Sequence, residues 1–94
     1  MLKFEVGKKY YDTGRDIQIK IIKRTAKMVT IEPVKGCWWL EDKETQKVKI
    51  DQTSAKNTEL LRLHKGYFIV SSDQTDVISL EEKQYIDYYN AYYN

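Results

Sequence analysis

The sequence has little of what most catalytic and metal chemistry needs. It holds one histidine, His64, and one cysteine, Cys37, in 94 residues. A structural zinc site draws on about four such ligands, so no metal centre is expected. A Cys–His nucleophile pair needs only these two residues, but no local signature surrounds either of them. A single cysteine also excludes an internal disulfide framework and fits a reducing compartment. Gly7, Gly14, Gly36 and Gly66 are too scattered to form a phosphate-cradling loop. Asp73 and Asp76 lack the spacing of a calcium loop. The reading is a protein that binds rather than reacts, with no cofactor. Apolar runs fall far short of the roughly 20 residues that span a bilayer. The start, Met1-Leu2-Lys3-Phe4-Glu5, has no apolar signal core. Neither a membrane nor secretion is expected; a cytoplasmic location is.

Helix formers are scarce too. Alanine occurs three times, whereas Val, Ile, Thr and the aromatics together make 34 residues that favour a pleated surface. The length allows one domain, 1–94. Charge is unevenly spread. Residues 1–70 carry 15 Lys/Arg against nine Asp/Glu, while residues 71–94 carry Lys83 against five acids. A basic body therefore precedes an acidic tail.

Along the body, Phe4-Glu5-Val6 reads as a short strand, Gly7 as a bend, and Tyr10-Tyr11 as a second extended stretch. Asp12 to Asp16 is turn chemistry. Ile17, Ile19 and Ile21 alternate with polar residues, the period of a half-buried strand; Ile22 breaks that pattern. Val29 and Ile31 mark the second arm of a hairpin, which Pro33 ends or confines to an edge. Cys37-Trp38-Trp39-Leu40 is a short apolar run, Glu41 to Lys47 an exposed loop, and Val48-Lys49-Ile50 a strand that pairs back. Leu60 to Ser71 predicts one long strand with a bulge at Gly66, because Lys65-Gly66 is a weak hairpin turn; a tight hairpin there is the alternative.

The tail changes period. Ser79-Leu80-Glu81-Glu82 matches a capping box. Ile86, Tyr89 and Tyr93 recur at helical spacing beside Tyr85, Tyr88 and Tyr92. A helix over 79–94 is predicted, packed on a β body of residues 1–72. The fold class is therefore mostly β (α+β). It is either a small SH3-like barrel or a strongly bent antiparallel sheet with a C-terminal α-helix, an OB-like barrel being the second choice.

Binding candidates come from the surplus aromatics and the lysines. Adjacent side chains on a strand point to opposite faces, so one of Trp38 and Trp39 fills the core and the other faces out, with Trp39 favoured as the outer one. Tyr10 with Tyr11, and Tyr67 with Phe68, follow the same logic. The outward rings form either a wall under the tail helix or a stacking platform for single-stranded nucleic acid. Lys20, Lys23, Arg24 and Lys27 cluster around the first hairpin as the footprint of phosphate binding, or as the charges that keep strand edges apart. Thirteen lysines to three arginines favour the second reading. Tyr88 and Tyr92, with the rest of the aromatic tail, suit a protein interface.

Three segments carry a resemblance: Val6-Gly7-Lys8-Lys9-Tyr10-Tyr11, Lys23 to Ile31, and Lys47-Val48-Lys49-Ile50. Over residues 4–70 the chain resembles small uncharacterised β-rich proteins of phages and mobile genetic elements in Firmicutes. Trp38-Trp39 and the tyrosine tail lie outside that pattern, and no functional residue carries over. The resemblance implies an accessory protein acting inside a bacterial cell. Such genes often encode regulators, nucleic-acid binders or inhibitors of host defence, anti-CRISPR proteins among them. The expected function is a binding module for nucleic acid or for a protein that handles it. The alternative is a stoichiometric inhibitor of a bacterial defence nuclease.

Overall fold

The computed structural model describes residues 2–53 and 57–75. These form seven strands: β1 (Lys9–Asp12), β2 (Gln18–Arg24), β3 (Met28–Lys35), β4 (Gln46–Lys49), β5 (Asp51–Thr53), β6 (Thr58–Leu63) and β7 (Phe68–Thr75). All strand pairs are antiparallel, in the order β4-β3-β2-β1-β7-β6-β5. The two edge strands, β4 and β5, are separated in sequence by Ile50 alone. One bent stretch of chain therefore supplies both edges and rolls the sheet into a nearly closed small β-barrel. Such near-closure shields the short edge strands that would otherwise invite aggregation. No described residue is helical, and the predicted helix over 79–94, with Tyr88 and Tyr92, lies outside the described residues.

The core follows from alternation. Ile19 and Ile21 on β2, Val29 and Ile31 on β3, Val48 on β4, Leu61 and Leu63 on β6, and Val70 on β7 all point inward and are buried. Phe4, Tyr10 and Ile17 complete it. Phe4-Glu5-Val6 does not form the strand predicted for it. Phe4 instead plugs one end of the barrel, its ring edge-on to Tyr10 with centroids 4.9 Å apart. Pro33 lies inside β3, paired to β2 but beyond the part of β3 that β4 covers. Its missing N–H thus costs no ladder bond to a neighbour.

Ile22 breaks the alternation because it is a bulge: Ile21 faces Ile31, but Lys23 already faces Thr30. The extra residue inverts the phase of the strand. Arg24 is thereby turned toward the interior and Lys23 outward. Between β6 and β7 the chain makes a tight hairpin, not the bent strand predicted. His64 and Lys65 both have positive φ, and Gly66 N donates to Leu63 O at 3.1 Å. Those are marks of the mirror-image turn whose twist matches a hairpin. His-Lys is a poor sequence for it, which is why the pattern misleads.

Candidate functional site

At one end of the barrel, two loops bring five rings together. The first loop, Gly36 to Leu40, follows β3. Gly36 has φ +73°, and a Cβ there would collide with the Asp16 carbonyl oxygen. Only glycine lets this loop press against the β1–β2 turn. That turn is itself fixed by Asp12, whose buried carboxylate accepts the Ile17 N–H at 2.9 Å and the Gly14 N–H at 3.3 Å. The second loop is the β6–β7 turn with His64, Tyr67 and the adjoining Phe68.

Trp38 and Trp39 lie in a turn rather than on a strand, so strand alternation does not govern them. Their division of labour is the reverse of that predicted. Trp39 is half-buried against the core, and its Nε1 donates to Gln46 Oε1 at 3.3 Å. Its ring stacks on Phe68 (5.4 Å, 15°) and on His64 (5.1 Å, 26°). Trp38 is the outer residue, 65% exposed. It meets Trp39, His64 and Phe68 edge-on at 5.1 to 5.3 Å. Tyr67 is 80% exposed and flanks His64. Phe68 is buried; Tyr67 lies in the turn before β7, so its exposure does not follow from strand alternation either. The charged residues that flank these loops, Lys35, Glu41, Asp42, Lys43, Glu44 and Lys65, are exposed and of mixed sign.

Other candidates fall elsewhere. Tyr10 is a core residue, 1% exposed, with its hydroxyl accepting the Glu5 N–H at 2.8 Å. It has no face to offer a partner, because its ring is spent inside the barrel. Arg24 is engaged in the fold. Its guanidinium pairs with buried Glu59 and donates to Phe4 O at 2.7 Å, so it is not free for a phosphate. Lys23 and Lys27 are exposed, and Lys20 is half-buried opposite Glu32. Lys23 and Lys27 lie at the other end of the β2–β3 hairpin from Gly36, whereas Lys20 is two residues from Gln18, which faces Lys35 at the aromatic end. The aromatic cluster and the basic tip are therefore separate surfaces.

Cys37 is buried, and its thiol lies 3.7 Å from Gln18 O and 3.6 Å from Lys35 O. Burial pushes the thiol pKa up, the opposite of nucleophile activation. Among the described residues, no three of His, Cys, Asp and Glu gather as a metal site would require. No helix among them is long and apolar enough to cross a membrane. In the sequence His64 reads as a strand residue, and its place in the cluster does not show. The signal for it is the pair Leu63 and Phe68, one at each end of four turn residues.

No protein-family model, curated protein or solved structure matches the chain. The functional reading therefore rests on the geometry of this chain.

Proposed function

We propose that the protein is a non-enzymatic binding module that takes a protein partner at its aromatic end, with Trp38 as the anchor. One observation carries this reading: Trp38 is 65% exposed while the rings around it are held by the barrel. A large exposed indole on a rigid seat loses little conformational freedom on binding and offers a large apolar area. Around it lies a rim of charges of both signs. An aromatic centre with a polar rim is the anatomy of a protein interface. A platform for single-stranded nucleic acid needs a basic groove along the stacked rings, and this rim is not basic. The resemblance to mobile-element proteins supports a partner inside a bacterial cell, among proteins that handle nucleic acid. Occupying such a partner's surface would make the chain a stoichiometric inhibitor of a defence nuclease.

The test is affinity capture from a bacterial lysate, with and without nuclease treatment, using the wild type and Trp38→Ala. A protein retained after nuclease treatment and lost with Trp38→Ala supports the reading. A partner lost on nuclease treatment transfers it to nucleic acid and to Lys20, Lys23 and Lys27. Hot-spot tryptophans contribute about 2–4 kcal/mol, so affinity for a purified partner should fall roughly 30- to 1,000-fold.

A further inference from the structure

The outer face of the β2–β3–β4 sheet carries a groove of about 620 Å³. It lies near the opposite end of the barrel from the tryptophans. Val6, Ile22 and Met28 give it an apolar floor, and Lys23 and Lys47 stand beside them. Val6 is 57% exposed and Met28 39%. Ile22 follows inward Ile21 and turns outward, and the bulge sets Lys23 beside it on the same face. None of the residues that line the groove is acidic. It asks for an occupant that is apolar on one side and acidic on the other.

We infer that the occupant is the chain's own segment 76–94, docked intramolecularly on Val6, Ile22 and Met28. Three observations converge on it. The first is charge. The segment carries Asp76, Glu81, Glu82 and Asp87 against Lys83 alone, and the groove is basic. The second is apolar content. Ile86, Tyr89 and Tyr93 recur at helical spacing, and the groove floor is apolar. The third is reach. Thr75, where the described chain ends, faces Tyr10, and its Oγ1 donates to Lys9 O at 2.7 Å. Lys9 in turn faces Lys20, two residues before Ile22. Counted from Thr75 opposite Tyr10, which itself faces Ile19, Ile22 is two strand spacings across and three residues along, roughly 14 Å. Nineteen residues follow Thr75; even wound as a helix they would cover about 28 Å. Docking there covers Lys23 and Lys47 with carboxylates and leaves the aromatic end open.

The test is NMR on the isotopically labelled full chain. The Met28 and Val6 methyls should show cross-relaxation to tyrosine ring protons of residues 85–93. Lys23→Glu combined with Lys47→Glu should abolish those peaks while cross-peaks between Ile31 and Leu61 and their core neighbours persist. Absence of tail contacts to Met28 and Val6 in the wild type overturns the inference. So does their survival in the charge-reversed variant. Contacts seen only between differently labelled copies in a mixed sample would assign the groove to a second molecule and overturn the intramolecular assignment. None of these outcomes touches Trp38, so this inference and the proposed partner site stand or fall separately.

Discussion

Arg24 and Glu59, 35 residues apart, meet through two parallel hydrogen bonds, Nη1 to Oε1 at 2.7 Å and Nη2 to Oε2 at 2.9 Å. The Glu59 side chain is 1% exposed and that of Arg24 18%. Glu59 Oε1 also accepts the Phe4 N–H at 2.7 Å, and Arg24 donates to Phe4 O. One ion pair thus joins β2, β6 and the N-terminal segment that plugs the barrel. The bulge at Ile22 is what delivers Arg24 to this position.

Removing one partner strands the other charge in a dry site. Arg24→Ala should therefore destabilise the fold by about 3–5 kcal/mol. Arg24→Met combined with Glu59→Leu should cost clearly less than the sum of the two single changes. Urea denaturation of the four proteins of the cycle measures this coupling. Additive losses would mean the pair is not a unit.

The pair also sets an acid limit. Burial pushes the Glu59 carboxyl up, but the Arg24 hydrogen bonds, the Phe4 N–H and the nearby charges of Arg24 and Lys3 outweigh it. The net shift is downward from 4.5. A carboxyl whose folded pKa is depressed contributes stability that is complete above the ordinary value and is lost as pH falls through the folded one. Urea midpoints measured between pH 7 and pH 2 should fall below about pH 4.5 in the wild type. They should fall less steeply there in Glu59→Gln, which has no such proton to gain. Parallel curves would remove Glu59 as the cause.

Gly36 seats the tryptophan loop. Gly36→Ala forces a residue with a side chain into a left-handed conformation and drives its Cβ against the Asp16 carbonyl. The expected cost is at least about 2 kcal/mol, read by thermal melting. Trp38 fluorescence should change at the same time, because the loop must move. A melt like the wild type would show that the loop is free to shift without penalty.

Much of the barrel is legible in the sequence. The isoleucine alternation and the Val29/Ile31 hairpin arm rest on the two-residue side-chain period of a strand. Val48 reads as a strand residue for the same reason, but its partner does not show: the loop over 41–47 suggests pairing back on the apolar run at 37–40, whereas β4 begins at Gln46 and pairs with Met28 to Ile31 of β3. Two of the places that mislead share a cause. Both the β6–β7 turn and the Trp38–Trp39 loop depend on positive-φ residues, three of them at His64, Lys65 and Gly36. Glycine at position 36 hints at this; His-Lys at 64–65 does not. Arg24 illustrates a subtler loss. Its charge suggests a phosphate ligand, but the one-residue bulge before it decides which face it presents, and a bulge is a property of strand pairing. The cluster around Trp38 is legible as a surplus of aromatics and not as a place.

Tyr67 adjoins the aromatic cluster and is 80% exposed. Tyr67→Ala should change stability by no more than about 0.5 kcal/mol. If Tyr67 belongs to the same interface as Trp38, the substitution should still weaken partner capture. An unchanged affinity would confine the interface to the tryptophan side of the cluster.

The central claim is that Trp38 serves recognition and Trp39 serves the fold. Thermal melts and partner capture on Trp38→Ala and Trp39→Ala test it most directly. Trp39→Ala should lose about 2–3 kcal/mol, since it removes packing against the core and the stack on Phe68. Trp38→Ala should lose about 1 kcal/mol or less, yet fail to retain the partner. Equal and large destabilisation by both, or a Trp38→Ala protein that holds its partner as the wild type does, would contradict the account.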